Sequence, residues 1–127
     1  GNALACASAL TIIDIMEKED FAGKAVTMAE KLHKHFDAWK EKYEVVGDVR
    51  GTGCMMGIEF VTSKETKEPA TKLVGDIVQY AAHHGLVLEA AGTYSNVIRC
   101  LAPLVMTDEQ LEAGCAILEE AIVACSK

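Results

Sequence analysis

VVGDVRGTGCMMGIEF, Val45 to Phe60, decides how the rest of the chain is read. Upstream of it, apolar residues recur every three or four positions. Within it, Met56, Ile58 and Phe60 recur every second position. A change of period from 3.6 to 2 is a change from amphipathic helix to half-buried strand. Val45-Val46 and Met56 to Phe60 therefore read as two strands, with the glycine-containing stretch VRGTG, Val49 to Gly53, as the connection between them. Glu59 falls on the face opposite Ile58.

Before this stretch, Ala25, Met28, Ala29, Leu32, Phe36, Trp39 and Tyr43 form one stripe, with Lys31, Lys34, Asp37, Lys40 and Glu41 on the other side. That is an amphipathic helix of about five turns. Further upstream, ALACASALTIIDIMEKED is a helix that is apolar on nearly every side through Ile13. A helix apolar all round is normally buried all round. In 127 residues there is too little protein to wrap it. The expectation is that residues 2–20 pack against a domain that lies outside this sequence, and that the two helices also pack as neighbours.

After it, TSKETKEPA, Thr62 to Ala70, is a polar loop. Leu73, Val74, Ile77, Val78 and Ala81 mark a third helix, closed by Gly85. LVLEA, Leu86 to Ala90, reads as a short strand, AGTYSN as a turn, and VIRCLAPL as a strand that Pro103 stops. Thr107 and Gln110 fit a capping box. The stripe Leu111, Cys115, Leu118, Ile122 and Cys125 then follows in a fourth helix. The order α-α-β-β-α-β-β-α predicts an α+β domain, residues 1–127. It is a small, mainly antiparallel sheet of about four strands covered by about four helices.

Composition narrows the function. The net charge is −7, so there is no basic surface for nucleic acid or an anionic membrane. No apolar run reaches the length of about 20 residues that spans a bilayer. The five cysteines are odd in number and irregularly spaced; they read as reduced core thiols of a cytoplasmic compartment. His33/His35 and His83/His84 lack the i, i+4 spacing of a ligand pair, so no metal is expected.

The two arginines stand apart from the ten lysines, which lie on helix faces, in the polar loop or at the C-terminal end. Arg50 and Arg99 sit beside strands, in GDVRGTG and SNVIRCLAP, among glycines and apolar residues. A buried guanidinium needs a partner. Its planar fork suits a carboxylate through two parallel N–H···O bonds. The partner is either internal, with Glu59, Asp48 and Glu89 as candidates, or a ligand carboxylate. Tyr94, in the turn before Arg99, either lines a pocket or caps the sheet.

GNALACASAL, VVGDVRGTGCMMGIEF, HHGLVLEAAGTYSNVIRCLAPLVMTDEQLEAG and ILEEAI, in that order, span nearly the whole chain. Together they resemble the C-terminal small domain of class III, fold-type I, pyridoxal-phosphate-dependent aminotransferases, with GTYSNVIR nearest the 4-aminobutyrate branch. The resemblance implies transfer of an amino group from an ω-amino acid to 2-oxoglutarate, with Arg99 gripping the substrate carboxylate. Arg50, Gly51, Tyr94 and Asn96 would support it. It also implies a cytoplasmic homodimer using pyridoxal 5′-phosphate. Gly1 and Asn2 would lie near the loop that meets the cofactor phosphate. The Schiff-base lysine would lie upstream of Gly1, so this chain alone is expected to bind no cofactor and to be inactive. The alternatives are the ornithine, acetylornithine or another ω-amino acid branch, or a stand-alone interaction module.

Overall fold

The computed structural model describes all 127 residues. It contains α1 (Ala3–Lys18), α2 (Phe21–Lys42), β1 (Val46–Thr52), β2 (Met55–Phe60), α3 (Thr71–His83), β3 (Glu89–Ala91), β4 (Val97–Leu101) and α4 (Asp108–Cys125). The element order is the one expected. The strands form one antiparallel sheet in the order β1-β2-β4-β3. β2 and β3 are thereby parallel to each other, joined through α3, and β4 is inserted between them. β2 and β4 are the two inner strands, each hydrogen-bonded along both edges.

One face of the sheet is covered and the other is open. Met56, Ile58, Phe60 and Ile98 point into the covered face and are at most 1% exposed. They meet Leu32, Phe36 and Trp39 of α2, Val74 and Ile77 of α3, and Leu111, Leu118 and Ile122 of α4 in one core. Full burial of each such side chain stabilises the fold by about 1.5–3 kcal/mol before entropy is counted.

Polar pairs join α2 to α4 at a constant sequence offset of 77: Lys31 with Asp108, His35 with Glu112, and Lys42 with Glu119. A constant offset means that the two helices run parallel and in register. Exposed pairs of this kind contribute little stability; their value is alignment. α4 begins as expected: Thr107 accepts from the Gln110 N–H and the Gln110 side chain accepts from the Thr107 N–H. Gly85 ends α3 at φ +89°, as its position predicts.

Four expectations are corrected. VRGTG is mostly strand, because Arg50 and Gly51 pair with Gly57 and Met56, and the turn is confined to Gly53 and Cys54. Gly51 is needed there for close approach: a Cβ would lie 2.3 Å from the Met55 carbonyl oxygen. β3 starts at Glu89 rather than Leu86, because only Glu89 to Ala91 find partners on β4. Cys6 is exposed rather than a core thiol, while Cys115 is buried and the other three cysteines are half-buried.

The fourth correction concerns α1. It does not bury itself against α2, and no residue of α1 is buried at all. Asp20, at φ +48°, turns the chain between the helices and caps α2 through the Gly23 N–H. The stripe of α2 is already committed to the sheet and α4. Leu4, Leu10, Ile12, Ile13 and Met16 are consequently left in solvent.

Candidate carboxylate site on the open face of the sheet

Alternation along β4 sends Ile98 into the core and Arg99 out of the opposite face. The same pleat on β2 sends Ile58 in and leaves Gly57 and Glu59 outside. Register then builds a single row across the sheet. Arg50 is opposite Gly57, Gly57 is opposite Arg99, and Arg99 is opposite Glu89. With strands about 4.8 Å apart, the two arginine Cα atoms stand roughly 10 Å apart across a residue that has no side chain.

Both arginine side chains are half-exposed, 54% for Arg50 and 46% for Arg99. The premise that they are buried is therefore corrected: Ile98 and Cys100 beside Arg99 turn to the covered face, whereas Arg99 shares the other face with the exposed side chains of Met55 and Leu101. Arg50 is held by two carboxylates, donating to Asp48 at 3.0 Å and meeting Glu59 at 2.6 Å. Glu59 and then Asp48 raise its pKa further above the usual arginine value. Burial alone would push Asp48 up, but Lys40, at 2.9 Å, and Arg50 hold it below the usual carboxylate range. Arg99 has a single partner, Glu89, to which its Nη2 donates.

The other candidate residues lie apart from this row. Gly51 sits opposite Met56, on the side of the helices. Tyr94 is exposed in the turn before β4, where its carbonyl accepts from the Thr71 hydroxyl at 2.5 Å. Asn96 is 4% exposed and donates from Nδ2 to the Phe60 carbonyl at 2.9 Å, while its own carbonyl accepts from the Phe60 N–H. It locks the start of β4 to the end of β2. Asn2 caps α1 by accepting from the Leu4 and Ala5 N–H groups, next to exposed Gly1. Gly57 is the member of the row that sequence reasoning missed; its signal is a glycine at an outward position of the alternating run MMGIEF.

Beneath Arg99, on the core side of β4, Leu32, Phe36, Leu88, Cys100, Leu111 and Cys115 line an apolar cavity of about 150 Å³. Burial pushes the Cys115 thiol up to about 12 and raises Cys100 as well, so neither is a ready nucleophile. No cluster of His, Cys, Asp or Glu is placed to hold a metal ion. No helix is long and apolar enough to cross a membrane.

Arg99 thus stands outward on an inner strand of this α+β sheet, and the sequence around it matches one family. The family described as Aminotransferase class-III matches residues 1–122, and the chain belongs to it. It is 42% identical over 120 residues to 5-aminovalerate aminotransferase of Pseudomonas aeruginosa, covering 94% of this chain and 28% of that protein. It is 38% identical over 120 residues to 4-aminobutyrate aminotransferase of Escherichia coli, again covering 94% of this chain and 28% of that protein. The fold superposes with a TM-score of 0.84 on a pyridoxal-phosphate-bound amine transaminase from an uncultivated Pseudomonas species. That pair is 33% identical, over 95% of this chain and 27% of the other.

The chain thus spans a little over a quarter of the length of these relatives. The family is dependent on pyridoxal phosphate. None of the ten lysines lies on a strand. Lys40 is tied to Asp48, and Lys64 donates to the Lys40 carbonyl at 2.6 Å. The partner of Arg99 is a carboxylate, not an amine.

Proposed function

We propose that this chain is the substrate-clamping C-terminal domain of a cytoplasmic, homodimeric aminotransferase. On this reading the enzyme moves the amino group of 4-aminobutyrate, 5-aminovalerate or a related ω-amino acid to 2-oxoglutarate. The observation that carries the reading is Arg99, held outward on a strand bonded on both edges. The relatives named for ω-amino acid substrates support the donor class. Arg99 acts by position: two parallel N–H···O bonds fix the carboxylate of the acceptor, and with it the direction of the keto carbon. The cofactor of the family carries the electronic chemistry, and its lysine and phosphate contacts come from residues beyond this chain. The bare apolar surface of α1 supports a covering domain, and we assign residues 2–20 to that contact.

The test is amino-donor profiling of the full-length protein with 2-oxoglutarate as acceptor. Activity with 4-aminobutyrate or 5-aminovalerate, and none from residues 1–127 alone, is the expected result. A preference for ornithine or acetylornithine would move the chain to that branch. Turnover by the isolated domain would overturn the clamp reading.

A further inference from the structure

The apolar cavity on the core side of β4 has no part in the reading of Arg99. Leu32 and Phe36 of α2, Cys100 of β4 and Leu111, Cys115 and Leu118 of α4 form its walls. Val87, 91% exposed, and Leu101, 59% exposed, also line it, so the cavity reaches the surface between apolar residues.

This lining offers little to a polar guest. The Gln110 side-chain oxygen is taken by the Thr107 N–H, and the Arg99 Nη2 by Glu89. The thiols of Cys100 and Cys115 are weak hydrogen-bonding groups, and burial keeps both neutral. A buried water needs two to four polar partners. No buried side-chain nitrogen or oxygen is left seeking one.

Gly114, in the interior of α4, lines the same cavity. Glycine inside a helix is less stable than alanine. Nothing in the backbone demands it at this position: its φ is not positive, and a Cβ would meet only Leu86 Cδ1, at an ordinary 3.6 Å. Leu86 is itself a wall of the cavity. A methyl group there would be tolerated by the fold and would take volume from the cavity.

We propose that this cavity is a binding site for a small, uncharged, apolar molecule, a ring of about six carbons, and that Gly114 keeps the room for it. The volume fits: the cavity holds about 150 Å³, and an apolar cavity of about that size takes benzene. The occupant rests on Cys100, the neighbour of Arg99 in β4, on the opposite face of the sheet from the carboxylate row. The site is therefore separate from that row, and the inference does not depend on the role of Arg99.

The experiment is thermal melting of the full-length protein with benzene titrated up to its solubility, and with phenol at matched concentrations. A ligand that binds only the folded state raises Tm in proportion to its occupancy. The expected result is a saturable rise with benzene and a weaker one with phenol, whose hydroxyl finds no free partner in the lining. Gly114→Ala should melt higher than wild type without ligand, because the helix gains. It should also bind benzene about fivefold or more weakly, because the added methyl group overpacks the occupied cavity. An equal benzene response in wild type and Gly114→Ala places the binding elsewhere and overturns the proposal. No response in wild type also overturns it, and is the outcome if a side chain from the rest of the full-length protein already fills the cavity. A phenol response as strong as that of benzene overturns the apolar class of ligand. Should Gly114→Ala not fold, Cys115→Met, which adds atoms to another wall, is read in the same way.

Discussion

Arg50 and Arg99 occupy the same row, the same face and nearly the same exposure, yet their surroundings differ. Arg50 is on the edge strand β1 and is closed in by Asp48 and Glu59, with Lys40 tied to the same aspartate. Arg99 is on the inner strand β4 and has one partner, on a strand only three residues long. The first is a satisfied ion-pair cluster that clips β1 to β2. The second is a well-mounted cation with spare donors. A shared residue type in a shared position therefore does not mean a shared role; the count of carboxylates in reach separates them.

The largest effect should come from undermining the mount. Ile98 is fully buried directly behind Arg99. Ile98→Ala should cost about 2–5 kcal/mol of unfolding free energy, measured by urea denaturation. A loss below about 1 kcal/mol would mean that β4 is not the rigid element that the comparison requires.

Next comes Arg99 itself. In the full-length enzyme, Arg99→Lys should lower kcat/KM for 2-oxoglutarate by about 1.5–3 kcal/mol of binding, the loss of a charged hydrogen bond or two. Cofactor absorbance should be retained. Arg50→Gln, by contrast, should leave the KM for the acceptor unchanged within error. If the two variants lost acceptor binding equally, the distinction between cluster and clamp would collapse.

Arg50→Gln should instead appear in stability, at roughly 1 kcal/mol or less because the pairs are half-exposed. The pH dependence gives its sign. Asp48 is held below its unfolded value, about 3.9. Its pairing therefore contributes fully above that pH, and the contribution is lost as pH falls through the depressed folded value. Thermal melts of Arg50→Gln should show a smaller loss of Tm on acidification from about pH 5 downward than wild type. An identical acid limb would remove Arg50 from the account of Asp48.

The smallest effect concerns the gap between the two arginines. Gly57→Ala has room for its methyl group and should leave stability nearly unchanged. It should raise the KM for 2-oxoglutarate modestly, by about twofold, on the order of a few tenths of a kcal/mol. No change in KM would make Gly57 a bystander of the row.

Much of this is legible in the sequence. The element order follows from two periods, 3.6 and 2, because burying an apolar stripe requires the repeat of the element that carries it. The start of α4 can be read from Thr107 and Gln110 alone, since the capping box closes within four residues. Spacing offers Asp48, Glu59 and Glu89 as partners of the arginines, and all three are engaged. Which carboxylate meets which arginine is not legible. That depends on strand order, and the insertion of β4 between β2 and β3 leaves no trace in local spacing.

Exposure is misread at both ends of the scale for one reason. The arginines read as buried because their neighbours are apolar, and α1 reads as packed on α2 because the two helices are adjacent in sequence. Apolar neighbours on a strand report the opposite face, and adjacency in sequence does not supply a partner surface. From the order of residues alone come the elements, the start of α4 and the end of α3, the family and the presence of two unusual arginines. It takes the folded arrangement to put those arginines in one row across a glycine, to satisfy one and leave the other with donors to spare, and to leave α1 bare. Local chemistry is written in short-range spacing, whereas register and sheet order arise from pairings between residues tens of positions apart.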